Sequence, residues 1–348
     1  ATRSVMADPD DYVRSTRAAR EHALSAAREG AADWPGPWPL HHGGVLPSLR
    51  LAWRLTGPEA APVVAVLGGI SAHRRVTAED GGWWAALVGA GRPLDPLRYR
   101  VLGIDYVGGS GASSAPVRGG AQFPSVSSYD QAAALARLLP ELGIGRLHAI
   151  VGASYGGMVA LAFGERHAPL VERLLVISGA DRAHPLATAW RSVQREIVRF
   201  GLRRGDAAGG LSLARALAMA TYRSPEEFAR RFSAAPRATP QGFRFPVEDY
   251  LHARGEAYAA QYVPEAFVCL SESIDLHAVD ATRMAVPTTL VAIREDQLVP
   301  LAHMQELAAK LPHAHLHVLD SLYGHDAFLK ESGLLRPIFA ACLEGPAR

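Results

Sequence analysis

Short, largely apolar runs recur along this chain: Val63–Leu67, Tyr99–Ile104, Leu147–Val151, Leu174–Ile177, Thr288–Ile293 and His315–Leu319. A strand with one wet face alternates apolar and polar residues, so a continuous run such as Val63–Leu67 marks a strand covered on both faces. Helix-length segments, among them Tyr129–Leu142 and Gly156–His167, separate several of these runs. Strands alternating with helices predict an α/β fold: a mostly parallel sheet with helices on both faces. Leu49–Leu55 differs, because Leu49, Leu51, Trp53 and Leu55 fall on one face, the pattern of an exposed edge strand. Residues 185–280 break the alternation with helical patterns and almost no strand signal. They predict a helical insertion between two strands, placed to cover the C-terminal ends of the sheet as a lid.

The chain has 348 residues, of which 49% are apolar and 20% charged, enough to bury a sizeable core and too apolar for a disordered chain. The pattern divides it into an N-terminal arm (1–44), a first part of the core (45–184), the lid (185–284) and a second part of the core (285–348). Within the arm, residues 1–30 predict a short solvated helix, which Trp34-Pro35-Gly36-Pro37-Trp38-Pro39 ends. A net charge of +2 and the lack of a basic-aromatic array argue against a nucleic-acid partner. No apolar run approaches the roughly 20 residues that span a bilayer, and Asp8, Asp10, Asp11, Arg14, Arg17 and Arg20 interrupt any signal-peptide core. Two cysteines, Cys269 and Cys342, cannot build a disulfide framework and fit a reducing compartment. A cytoplasmic protein is expected.

The string Gly152-Ala153-Ser154-Tyr155-Gly156 follows a buried strand and opens a helix. In that context G-x-S-x-G is a nucleophile elbow: the tight turn strains the serine backbone, exposes its Oγ and sets it over a helix N-terminus. A serine nucleophile needs a base, and the base needs a carboxylate to orient it. The chain order on this architecture is Ser, acid, His. After Thr288–Ile293 comes Arg294-Glu295-Asp296-Gln297, so the acid is Glu295 or Asp296. After His315–Leu319 comes Gly324-His325, which makes His325 the base. Two backbone N–H groups must form the oxyanion hole. Tyr155 supplies one, and Leu67 or Gly68, ahead of Gly69, the other.

Several further strings lie in order along residues 45–340: Gly82-Trp83-Trp84, Val88-Gly89-Ala90-Gly91, Gln122-Phe123-Pro124, Gly152–Met158, Thr221-Tyr222-Arg223, Val247–Leu251, Asp296-Gln297-Leu298 and Tyr323–Leu329. Together they resemble the homoserine O-acyltransferases of the α/β-hydrolase fold. The resemblance implies Ser154 as nucleophile, Asp296 as acid and His325 as base. It implies further that Arg223 and Asp326 grip the carboxylate and ammonium of L-homoserine. Acyl-CoA enters as co-substrate, and no cofactor is permanently bound. Leu298 stands where succinyl-using relatives tend to carry an arginine, which favours acetyl-CoA. A cation at His73, Arg74 or Arg75 would keep succinyl-CoA open. Serine as acceptor and an ester or thioester hydrolase remain alternatives, and a homodimer through the lid is implied.

Two patterns carry less. Arg191, Arg195, Arg199 and Arg203 repeat every four residues and read as a solvated helix face, with the phosphates of coenzyme A as the other reading. His313, His315 and His317 share one strand face. They read as a surface strand rather than a zinc site, so no metal is expected.

Overall fold

The computed structural model describes residues 27–346 and, ahead of them, residues 17, 18 and 21. The sheet strands in chain order are β1 (Arg28–Pro39), β2 (Val45–Thr56), β3 (Val63–Leu67), β4 (Arg100–Ile104), β5 (Ala149–Ala153) and β6 (Leu174–Ile177). A small hairpin follows, β7 (Arg237–Thr239) and β8 (Gly242–Arg244), and then β9 (Thr288–Ile293) and β10 (Ala314–Leu319). The main sheet runs β1-β2-β4-β3-β5-β6-β9-β10. β1–β2 and β2–β4 are antiparallel, and every pairing from β4 to β10 is parallel.

The apolar runs are strands because they bury alternate residues on opposite faces. Val63, Ala65 and Leu67 join one core with Leu102, Ile150, Leu174, Val176 and Leu290. Val64 and Val66 join the other with Val101, Val151, Leu175, Ile177 and Val291. Helices α1 (Ser128–Glu141) and α2 (Tyr155–Arg166) close the first face, and Trp84 and Phe339 are buried against the second. At about 25 cal/mol per Å² of apolar area removed from water, a doubly covered sheet of this kind is the main source of stability.

The arm is corrected. Residues 28–39 are β1, in register with β2 from Arg28 opposite Leu55 to Pro39 opposite Val45. Three prolines fit because β1 is the edge strand and the register shifts between Pro35 and Trp38 around Gly36 at φ 89°. Trp34 is buried and Asp33 pairs with Arg50 at 2.8 Å. β2 is therefore an inner strand, not the edge its alternation predicted. The short helix expected within 1–30 falls largely outside the described residues.

The insertion sits between β6 and β9: α3 (Pro185–Arg203), α4 (Ala207–Tyr222), α5 (Pro225–Arg231), the β7–β8 hairpin, α6 (Pro246–Ala259) and α7 (Pro264–Leu276). Gly201 and Gly210 let α3 and α4 touch backbone to backbone, since a Cβ on Gly201 would come 2.8 Å from Gly210 Cα. After β9 come α8 (Leu301–Lys310), the short α9 (Ala327–Lys330) and α10 (Ser332–Glu344). No helix among the described residues is long and apolar enough to cross a membrane.

Candidate active site

Ser154 lies at the β5–α2 turn with φ 57° and ψ −122°, a strained conformation for a residue with a side chain. Two close approaches fix the turn. A Cβ on Gly152 would lie 2.2 Å from Gly156 O, and one on Gly156 would lie 2.1 Å from Leu67 O. Both glycines of the motif are required by backbone packing.

Ser154 Oγ is 2.7 Å from His325 Nε2. His325 Nδ1 is 2.7 Å from Asp296 Oδ2. The backbone N–H groups of Leu298 and Val299 donate to Asp296 Oδ1 at 2.8 and 3.0 Å, so the buried carboxylate is satisfied on both oxygens. Asp296 thus takes the acid position. Glu295, the other candidate, turns away and accepts from Ser321 N–H at 2.7 Å. Burial pulls the His325 pKa down, but the charge and hydrogen bond of Asp296, with the charge of Asp326, hold it above the ordinary value. The ring lies under Tyr222, nearly parallel at 6.2 Å, and meets Phe328 edge-on at 6.3 Å.

Ser154 and His325 open on a cavity of about 250 Å³ between sheet and lid, with Asp296 buried behind the imidazole. Its wall includes Gly69, Ile70, Tyr155, Ser178, Arg191, Gln194, Arg215, Ser271, Leu298 and Asp326. Tyr155 N–H, first in α2, has no backbone acceptor, as an oxyanion donor requires. The second donor was expected at Leu67 or Gly68. Leu67 is paired within the sheet, and Gly68 lends its carbonyl to Gly156 N–H and to the Tyr106 hydroxyl at 2.9 and 2.7 Å. Neither forms part of the wall, whereas Gly69 and Ile70 do, and the N–H groups of both lack a backbone acceptor.

Arg223 is absent from the cavity wall. Its guanidinium lies behind Asp326, with Nε 3.3 Å from Asp326 Oδ2 and Nη1 3.0 Å from Glu227. Three arginines do border the cavity, Arg182, Arg191 and Arg215, and the last lies nearest the position expected of Arg223. Arg215 donates to the Tyr222 hydroxyl at 3.0 Å and lies over the Tyr258 ring at 4.4 Å, with no carboxylate of the described residues in contact. Burial works against its charge, yet Tyr222, Tyr258 and Asp326 keep its pKa raised. The sequence held a signal for it: Arg215 is the sole charged residue of α4, a helix otherwise made of small and apolar residues and one Tyr, Thr and Ser. An arginine in such a helix has a purpose that a solvated face does not explain.

The other cationic candidates lie elsewhere. Arg74 pairs with Asp105 and Glu29 at 2.6 Å each, Arg75 pairs with Glu29, and neither these two nor His73 belongs to the wall. The arginine stripe of α3 splits. Arg199 and Arg203 are exposed beside Glu196, but Arg191 and Arg195 turn inward to Asp275 of α7. His315 and His317 stand on edge strand β10, and no group of three metal-ligating side chains occurs among the described residues.

Residues 62–332 match the family model described as alpha/beta hydrolase fold, which sets the class. Homoserine O-succinyltransferase of Xanthomonas campestris pv. campestris is 47% identical over 310 residues, covering 88% of this chain and 81% of that protein. Homoserine O-acetyltransferase of Thermobifida fusca is 33% identical, covering 89% and 94%. A crystal structure of homoserine O-acetyltransferase from Bacillus anthracis shares the fold, with a TM-score of 0.83 over 92% of this chain and 99% of that one at 17% identity. The chain belongs to the homoserine O-acyltransferase family.

Proposed function

We propose that this chain moves an acyl group from acyl-CoA to the hydroxyl of L-homoserine through an ester on Ser154. His325 takes the Ser154 proton as Oγ attacks the thioester carbonyl, and returns it to the departing CoA thiolate. The homoserine hydroxyl then gives its proton to His325 and attacks the acyl-enzyme, and Ser154 leaves with that proton. Tyr155 N–H and an N–H of the Gly69-Ile70 segment are assigned to the oxyanion, in place of the pair Tyr155 with Leu67 or Gly68.

The observation that carries this reading is the cavity wall. It sets an arginine with no carboxylate in contact, Arg215, and a carboxylate, Asp326, beside the Ser154–His325–Asp296 chain. An α-amino acid needs one cation and one anion, and gripping both leaves its side-chain hydroxyl to be aimed at the ester. A plain hydrolase needs neither. Arg215 therefore replaces Arg223 as the carboxylate partner, and Arg223 orients Asp326 from behind.

Two observations pull apart on the donor. Leu298 lines the cavity and can pair with no charge, which favours acetyl. The Xanthomonas relative, at 47% identity, is a succinyltransferase, whereas the Thermobifida acetyltransferase stands at 33%. We take succinyl-CoA as the donor. A homodimer through the lid is kept, supported by exposed Val193, Phe200 and Leu213 on α3 and α4, and sedimentation at micromolar concentration tests it.

The test of the reaction crosses acetyl- and succinyl-CoA with homoserine and serine, with products read by mass spectrometry. O-succinylhomoserine as the dominant product is expected. CoA release at the same rate with and without either amino acid would replace the transferase with a hydrolase.

A further inference from the structure

Asp275 on α7 is shared. Its Oδ1 accepts from Arg191 Nε and Nη2 at 2.9 and 2.7 Å and from Thr188 Oγ1 at 2.6 Å, and its Oδ2 accepts from Arg195 Nη1 at 2.6 Å. Two guanidinium groups against one carboxylate leave one positive charge without a partner at the lid side of the cavity. Arg191 and Arg195 are both largely buried, with side chains 11% and 10% exposed. Surface arginines are well solvated by water, but a cluster this buried holds a surplus charge unfavourably unless something anionic joins it.

The surplus faces the cavity. Arg191 belongs to its wall, and its Nη1 makes no hydrogen bond among the described residues. One turn along α3, Gln194 is 4% exposed, also borders the cavity, and its side-chain amide makes no hydrogen bond among the described residues. Ser271, on α7, completes this patch and is held by Arg195 Nη1 at 3.0 Å. A free guanidinium edge, a free amide and a hydroxyl form a built receptor for a carboxylate.

The other arginines on the wall are accounted for. Arg182 is tied to Asp181 and Glu306, which with Lys310 make a neutral group. Arg215 has Asp326 near it, the pairing an amino acid needs. The patch at Arg191 has no free anion beside it and fits a group that is only negative.

We propose that Arg191, with Gln194 and backed by Arg195 and Asp275, receives the terminal carboxylate of a dicarboxylic acyl group carried on Ser154, and so sets the donor. This inference rests on the acyl-enzyme reading above. It places donor choice on the lid, not in the loop at Leu298.

The test uses the acylation half-reaction with no acceptor, so that an error about homoserine does not touch it. CoA release and the mass of the acylated chain are followed with succinyl-CoA and acetyl-CoA, in the parent, Arg191→Gln, Arg191→Lys and Gln194→Leu. The succinyl-to-acetyl ratio of kcat/KM should fall about 10- to 100-fold in Arg191→Gln, the range of a lost charge-assisted hydrogen bond, and partly recover in Arg191→Lys. A smaller fall is expected in Gln194→Leu. An unchanged ratio overturns the proposal. So does an equal loss for both donors, which would put Arg191 on the coenzyme phosphates they share. Circular dichroism checks folding, and Arg195 and Thr188 still satisfy Asp275 in both Arg191 variants. Transfer to homoserine, measured separately, tests the reaction: its failure with the ratio effect intact would remove the acceptor and keep the receptor.

Discussion

The sheet and the lid meet at one cavity but hold their functional groups by different physics. At the sheet, position is set by backbone. Gly152 and Gly156 have no room for a Cβ, Ser154 is forced to φ 57°, and two N–H groups pin Asp296. At the lid, position is set by charge: Arg191 and Arg195 are drawn inward by Asp275, and Arg215 is lodged between the Tyr222 hydroxyl and the Tyr258 ring. Backbone geometry fixes atoms for bond making. Side-chain charge on a packed insertion can be changed without disturbing them. The division implies that reactivity belongs to the sheet and choice of substrate to the lid.

Mutations can break that division. Ser154→Ala should lower kcat by about 10⁵- to 10⁶-fold with every donor and acceptor, and no acylated chain should appear by mass spectrometry. A residual rate within tenfold of the parent would mean the nucleophile lies elsewhere. Asp296→Asn should cost about 10⁴-fold by leaving the imidazole in the wrong tautomer. It also bears on pH. The base works only when neutral, and Asp296 helps hold the His325 pKa above its usual 6.5. The acid limb of kcat/KM should therefore have its midpoint above 6.5 in the parent and move to lower pH in Asp296→Asn.

On the lid side, Arg215→Met should raise the KM for homoserine about 10- to 100-fold while acylation by the CoA donor falls far less, a split that separates grip from chemistry. Equal losses in both half-reactions would merge the two regions into one. Smallest of all, Gly201→Ala should loosen the α3–α4 contact, where the new methyl meets the Gly210 backbone. A loss of about 1–3 kcal/mol, read from the denaturation midpoint, is expected, with the ester chemistry at Ser154 changed by less than threefold.

The same division explains what could be read from the sequence. Strands β3 to β6 and β9 were legible because burial on both faces writes itself as continuous apolar runs, and the elbow because its glycines serve local sterics. His325 followed from chain order, which left the acid open between Glu295 and Asp296 until the family resemblance chose Asp296. The lid was illegible in detail because the direction in which a side chain faces there depends on tertiary partners. Arg191 and Arg195 belong to an evenly spaced stripe that reads as solvated until Asp275, 80 residues downstream of Arg195, is placed beside them. Arg223 sat in a matching string but points behind Asp326. The second oxyanion donor was not fixed by the sequence, because the path of a turn after a strand is not a matter of periodicity. β1 was missed because prolines mask strand patterning, and an edge strand is where they are tolerated.

That proline-bearing outer strand also serves as a hem. Unpaired strand margins are adhesive, since their free N–H and C=O groups will zip to any neighbour of like form. Pro35, Pro37 and Pro39 carry no N–H, and the irregularity between Pro35 and Trp38 spoils a straight docking line. A version of the chain starting after Pro39 would bare the long, apolar β2 to its neighbours in solution, and its first symptom would be clumping on the shelf before any loss of turnover.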